Sequence, residues 1–186
     1  MKANMSIVQR HDRGMGCGCG SAANGASGAR TVSACLERDH LEIDTVLNAV
    51  DSFTRNGDFP AAQTAFLDFR CRLDAHIDAE EEILFPVYEQ LSACDQPTHV
   101  MLGEHADIRR LMATIAKRLD SPGASPPIEA LGALARLLNV HNTKEERILY
   151  RELDAALAID WQRTALVARL EERLVRGQAG SNHDSV

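Results

Sequence analysis

Apolar residues recur along most of this chain at alternating steps of three and four, the spacing that places them on one face of an α-helix. Five such stretches follow one another from Thr31 onward, and no segment makes a convincing β-strand. The stripes predict a core made of Leu36, Ile43, Leu47, Val50, Phe66, Phe69, Leu73, Ile83, Val87, Met101, Ile108, Met112, Ile115, Leu119, Leu131, Leu134, Leu138, Ile148, Leu166, Leu170 and Leu174. The pattern therefore predicts an all-α protein.

Turn-forming and helix-breaking residues separate the five stretches. The predicted helices cover about 32–55, about 60–91, about 97–119, a fourth beginning at Ser125–Pro126, and about 160–176. Pro86 should bend or distort the second helix, because proline lacks the N–H of a helical hydrogen bond. Short connections favour antiparallel neighbours, so we expect an up-down-up-down four-helix bundle with an extra C-terminal helix.

The two ends of the chain differ in composition from the helical part. Residues 14–30 contain six glycines and few side chains that could pack into a core. We therefore expect residues 1–30 to form a flexible tail, residues 31–177 to form the bundle domain and residues 178–186 to be disordered.

Charge and cysteine content exclude several functions. The net charge of −7, without a run of basic residues, argues against binding to nucleic acid, which depends on neutralising phosphates. No apolar stretch approaches the ~18 residues of a membrane-spanning helix, and the N-terminus lacks the apolar core of an export signal. Five scattered cysteines do not form a disulfide framework. We expect a cytoplasmic protein with no membrane or nucleic-acid partner.

Histidines and glutamates interrupt the apolar stripes at positions that should face the core. They are His40, His76, Glu80, His105, His141 and Glu145. Antiparallel helices place residues that are equally far from a connecting loop at the same height, at ~1.5 Å per residue. Counted from the loops, all six positions agree to within about one helical turn. We expect the six side chains to meet in one buried layer.

Two buried glutamates need a partner, because an unpaired charge in a core is costly. No lysine or arginine shares their stripes. A single core histidine is more often a hydrogen-bonded packing residue than a ligand, but that explanation does not cover the set. Six nitrogen and oxygen ligands suit two metal ions, and they favour iron ahead of manganese or zinc.

The two halves of the bundle repeat one another. A shift of 65 residues places His40 on His105, His76 on His141 and Glu80 on Glu145. The same shift places Phe85 on Tyr150 and Leu73 on Leu138. We interpret this as an internal duplication of a helix pair, in which each half contributes two histidines and one carboxylate.

Other polar residues near the stripes are weaker candidates. Asp44 follows His40 by one turn and could be a seventh ligand, but its counterpart in the repeat is Arg109. Glutamates next to the ligands are expected on a solvated face or, at most, as partners of the ligands; they are Glu81, Glu82, Glu104 and Glu146. Cys17 and Cys19 could bind a soft metal or form a redox pair, although a flexible linker is the simpler interpretation.

The order His, HxxxE, His, HxxxE on successive helices resembles the hemerythrin-like (HHE cation-binding) family. The segment HxxxEExxLFP at residues 76–86 carries the resemblance most specifically, and the likeness covers residues 35–153. The set of four histidines and two glutamates is most similar to that of the iron-sulfur-cluster repair di-iron proteins. Oxygen-carrying members have HxxxH on the third helix, whereas here Arg109 stands four residues after His105.

The resemblance implies a non-heme centre of two iron ions with an oxo or hydroxo bridge. By that likeness His40 and His76 serve one iron, His105 and His141 serve the other, and Glu80 and Glu145 bridge them. The small molecules that such a centre would bind are O₂, NO or peroxide, and the implied role is in oxidative or nitrosative stress or in iron handling. We expect a monomer or a weak homo-oligomer. Three functions stay open: reversible binding or sensing, a peroxidase or NO-reducing enzyme, and donation of iron to an iron-sulfur client protein.

Overall fold

The computed structural model describes residues 30–121, 123 and 125–179, and this part of the chain is helical and contains no strand. The predicted fold class, a helical bundle with an extra C-terminal helix, is confirmed. The expectations for residues 1–29, including Cys17 and Cys19, and for residues 180–186 lie outside the described residues. Among the described helices, none is long and apolar enough to cross a membrane.

Five helical rods make up the fold, and two of them are interrupted by a five-residue π-helical turn. The helices are α1 (Val32–Asn56), α2 (Phe59–Ala79), α3 (Phe85–Ser92), α4 (Gln96–Leu119), α5 (Ile128–Lys144), α6 (Tyr150–Ala156) and α7 (Asp160–Ala179). The first π-turn, Glu80–Leu84, joins α2 to α3, and the second, Glu145–Leu149, joins α5 to α6. The second and fourth predicted helices are therefore continuous rods with a local change of winding.

Local chemistry explains where the rods begin and end. The Thr31 hydroxyl accepts a hydrogen bond from the backbone N–H of Ala34 at the start of α1, and Gly57 ends that helix with φ of 77°. The predicted start of the fourth helix at Ser125–Pro126 is wrong, since α5 begins at Ile128. The ring of Pro127 disfavours a helical conformation of the residue before it, which delays the helix.

The π-turns change which residues face the core. A π-turn holds one residue more than an α-turn, so the side chains beyond it move to a different face. The prediction that Ile148 is buried is therefore wrong: its side chain is 46% exposed, and Leu149 is buried in its place. In the first half Leu84 is likewise buried, whereas Ile83 is only partly buried.

The core consists of two apolar clusters, one on each side of the polar layer. Along α1, for example, Leu36 belongs to one cluster and Ile43 to the other, and His40 lies between them. The last helix, α7, packs its buried leucines into the cluster that contains Leu36. Near its end, Gly177 lies so close to α2 that a Cβ atom there would overlap the Cβ of Ala75.

Candidate metal centre

The structure brings together the six side chains that sequence analysis selected. Each of them is 0–2% exposed, and they come from α1, α2 with its π-turn, α4, and α5 with its π-turn. Their ligand atoms form two groups, within each of which all atoms lie within 4.8 Å of one another. The groups are His40, His76, Glu80 and Glu145, and Glu80, His105, His141 and Glu145. Both glutamates are shared, which gives two adjacent positions suited to cations.

A carboxylate outside the layer forms a hydrogen bond with the Nδ1 atom of each of the four clustered histidines. The pairs are His40 with Glu146 at 2.9 Å, His76 with Asp39 at 2.7 Å, His105 with Glu81 at 2.9 Å and His141 with Glu104 at 2.9 Å. An ionised carboxylate can only accept a hydrogen bond, so Nδ1 carries the proton and donates in each pair. All four Nε2 atoms therefore face the centre of the layer, as in metal sites where a carboxylate orients the histidine ligand.

The facing Nε2 atoms form two close pairs. His40 and His76 approach to 3.0 Å, and His105 and His141 approach to 3.1 Å. Burial by itself lowers the pKa of His40, but the carboxylates of Glu145 and Glu146 outweigh burial and raise it to about 9. Burial also lowers the pKa of His141, and the negative charge of Glu145 again outweighs it and raises the pKa to about 9. In each pair, a proton on one Nε2 atom can be donated to the facing Nε2 atom. A metal cation bound by both nitrogens would replace this proton.

Two carboxylate oxygens in the layer accept no hydrogen bond from any described residue. They are Glu80 Oε2 and Glu145 Oε1, both completely buried. Glu80 Oε2 lies 3.3 Å from His105 Nε2, and Glu145 Oε1 lies 3.0 Å from His141 Nε2, without the alignment of a hydrogen bond. A buried polar atom without a partner is costly, and coordination to a cation removes that cost. The donor set therefore fits a pair of metal ions.

The two shared glutamates have different partners in the layer. Burial raises the pKa of Glu145, but the adjacent positive charge of His141 outweighs it and holds the pKa well below the usual range. Glu80 Oε1 accepts a hydrogen bond of 2.5 Å from the hydroxyl of Tyr150. Burial and the charges of Glu145 and Glu80 raise the pKa of Tyr150 well above its usual value, so its hydroxyl keeps the proton and donates it. Glu145 can therefore act as an anionic ligand, and Glu80 is held in place by the tyrosine hydroxyl.

Sequence analysis missed two residues of the site. Asp39 is not among the predicted site residues, although a shift of 65 residues places it on Glu104. Asp39 accepts a hydrogen bond from His76, as Glu104 does from His141. Tyr150 was noticed only as a member of the repeat. Five residues separate it from Glu145, which in an α-helix turns the side chain away from the ligand face, and the π-turn brings it back.

The weaker candidates take definite places around the layer. Glu81, Glu104 and Glu146 each bind a histidine, whereas Glu82 pairs at the surface with Arg173. Asp44 belongs to neither ligand group. Arg109 donates to Glu81 at 2.8 Å and to Asp78 at 3.1 Å.

The cysteines of the described residues do not enter the site. Cys35 is buried, Cys71 is half-buried and Cys94 is exposed, and all three are free thiols. None of them belongs to a ligand group. The donor set is therefore made of nitrogen and oxygen alone, which disfavours a thiolate-bound metal.

Comparison with known proteins agrees with this geometry. The family model of the hemerythrin HHE cation binding domain matches residues 31–153, about two-thirds of the chain. No curated protein and no solved structure matches the chain. The matched segment extends from the start of α1 into α6 and contains all six clustered side chains, and α7 lies beyond it. The chain therefore belongs to the hemerythrin HHE cation-binding family and carries a metal-binding domain.

Proposed function

We propose that this chain is a non-heme di-iron protein that binds or senses small oxidants such as O₂, NO or peroxide. One observation carries the proposal. Four imidazole Nε2 atoms lie in one buried layer together with two carboxylate oxygens that accept no hydrogen bond from the described residues. A mixed set of nitrogen and oxygen donors, without thiolate, suits iron better than calcium or a soft metal.

The ligand groups suggest how each ion would be held. His40 and His76 would hold one iron and His105 and His141 the other, with Glu80 and Glu145 shared. Bound iron would supply reducing electrons and a place for a small ligand. The chain itself orients each imidazole through a carboxylate, and the two apolar clusters keep water away.

A second candidate function is reduction of peroxide or NO by the same centre. The hydroxyl of Tyr150 favours it, because a buried proton donor lies 3.3 Å from His40 Nε2 and 2.5 Å from Glu80 Oε1. An enzyme that reduces these molecules must deliver protons to them. In either case the free thiols of Cys35, Cys71 and Cys94 agree with a reducing compartment such as the cytoplasm.

The test starts with the full chain loaded with ferrous iron without oxygen. After unbound iron is removed, we expect about two irons per chain and a visible spectrum that changes when O₂, NO or hydrogen peroxide is added. Reversal of the change on degassing indicates binding, and consumption of the added molecule indicates an enzyme. Transfer of iron to an apo iron-sulfur protein would instead indicate a repair function, as in the iron-sulfur-cluster repair proteins whose ligand set is similar.

Matched histidine variants keep the test specific. His141→Ala removes a clustered imidazole and should lower iron content and melting temperature together, because metal binding to a buried site also stabilises the fold. His99→Ala removes an exposed imidazole from α4 and should change neither. Wild-type protein without iron, or His141→Ala protein with an unchanged iron content and melting temperature, would contradict the proposal.

A further inference from the structure

One position breaks the twofold repeat inside the metal layer. The shift of 65 residues that superimposes the ligands places Phe85 on Tyr150. Both residues are buried, and both follow the shared glutamate of their half by five positions. The two halves thus offer an apolar ring at one position and a hydroxyl group at the other.

The π-turns explain why both rings lie over the layer. The backbone N–H of Phe85 bonds to the carbonyl of Glu80, and that of Tyr150 bonds to the carbonyl of Glu145. This spacing of five stacks each aromatic residue above the glutamate that starts its turn. Proline is not required for this winding, because the second π-turn forms with Arg151 at the position of Pro86.

The two rings make different contacts with the ligands. The Tyr150 hydroxyl lies 2.5 Å from Glu80 Oε1, 3.2 Å from Glu145 Oε2 and 3.3 Å from His40 Nε2. The ring of Phe85 stacks on that of His105, with centroids 5.6 Å apart and planes 12° from parallel. Phe85 has no side-chain group that can donate a hydrogen bond.

The two oxygens of each shared glutamate differ in their partners. Glu80 Oε2 and Glu145 Oε1 accept no hydrogen bond from the described residues. Glu145 Oε1 lies on the side of His141 and His105, at 3.0 and 4.0 Å from their Nε2 atoms, and Glu80 Oε2 lies 3.3 Å from His105 Nε2 and 3.6 Å from His76 Nε2. The other oxygen of each glutamate lies beside the Tyr150 hydroxyl. A carboxylate oxygen that accepts a strong hydrogen bond has less charge to offer a cation than one that accepts none.

From this difference we propose that Tyr150 makes the two metal positions unequal, an inference that rests on the proposed function. The position of His105 and His141 fills first and holds its ion more tightly. The position of His40 and His76 fills second, because the hydroxyl competes there for both shared carboxylates. Tyr150 is then a positioning residue that sets the order of loading and leaves the second ion the more exchangeable of the two.

Cobalt(II) titration of the metal-free full chain tests this order. Absorption in the visible range reports each bound ion, and calorimetry reports its affinity. Wild-type protein should bind two ions in two resolved steps, with affinities about tenfold or more apart. Tyr150→Phe should strengthen the second step and bring the affinities together. Phe85→Tyr should weaken the first step, because it adds a hydroxyl beside His105.

Ligand variants assign the steps to positions. His105→Ala should remove the tight step and His40→Ala the weak one, and circular dichroism verifies that each variant is folded. Two equal affinities in both wild-type and Tyr150→Phe protein would overturn the inference and leave the proposed two-metal site standing. Resolved steps that neither aromatic exchange alters would overturn it as well. Failure of the wild-type chain to bind two ions would overturn the proposed function itself.

Discussion

Each of the four clustered histidines forms a hydrogen bond with a carboxylate from another helix, and the four hydrogen-bonded pairs follow the twofold repeat. Asp39 of α1 holds His76 of α2, and Glu104 of α4 holds His141 of α5 in the same way. The other two hydrogen bonds join the two halves, since Glu146 pairs with His40 and Glu81 pairs with His105. Neither half can orient all of its own histidines, so the duplicated pairs depend on each other.

A substitution of Asp39 tests whether these carboxylate–histidine hydrogen bonds contribute to metal affinity. Asp39→Asn keeps the size of the side chain but removes the charge that orients His76 and makes its Nε2 a better ligand. We expect metal affinity to fall by about 10–100-fold while the fold is kept. Competition with a chelator of known affinity measures the change.

The control for Asp39 is an aspartate of similar chemistry away from the site. Asp68→Asn removes an exposed carboxylate of α2 that pairs with Arg72, and it should leave metal affinity unchanged. Equal affinity of the Asp39→Asn and wild-type proteins would show that this hydrogen bond does not contribute to metal binding.

Cys35 lies in the apolar cluster that contains Leu36, and the reactivity of its thiol tests the burial of that cluster. Burial raises the pKa of its thiol to about 11, and only the thiolate reacts with iodoacetamide. The thiolate fraction at pH 8 is then about 100-fold below that of a thiol with an ordinary pKa near 9, and it keeps rising beyond pH 10. Peptide mass spectrometry should find Cys35 labelled far more slowly than the exposed Cys94. Equal labelling of both at pH 8 would contradict the burial of Cys35.

At the scale of elements, periodicity predicted most of the fold because helix stripes bury apolar faces in a regular order. The four histidines and two glutamates stood out as polar gaps in those stripes. The π-turns could not be predicted, because a pattern of period 3.6 assumes constant winding. That assumption led to the error at Ile148 and concealed Tyr150. Asp39 was missed since its contact with His76 depends on how two helices are placed side by side.

The last helix, α7, packs against α2 beside one of the clustered histidines, His76. Gly177 touches Ala75, the residue before His76, and Arg173 donates to Asp78 at 2.7 Å and to Glu82 at 3.0 Å. Gly177→Val should force α7 away from α2, because the added carbons would meet the Ala75 backbone and Cβ. We expect a loss of about 1–3 kcal/mol in the free energy of unfolding, measured with urea.

Another helical glycine separates this effect from a change in helix propensity. Gly103 of α4 has no atom near the position of an added Cβ, so Gly103→Ala should raise stability by about 0.5–1 kcal/mol. A Gly177→Val protein as stable as wild type would mean that α7 does not pack on α2 as closely as described.

At the scale of the whole molecule, the fold places a polar layer between two apolar clusters. Leu36, Leu84 and Leu149 lie on one side of the layer, and Ile43, Leu73 and Leu138 lie on the other. Burial from both sides makes every unsatisfied oxygen in the layer expensive, so a bound cation would stabilise the entire bundle.

We expect the six clustered side chains to hold two metal ions. Anomalous diffraction at the iron edge, from crystals of the iron-loaded full chain, tests it most directly. We predict two peaks per chain, one within reach of His40 and His76 and the other within reach of His105 and His141, with Glu80 and Glu145 beside both. A single peak, no peak in this layer, or iron bound elsewhere on the chain would contradict the account.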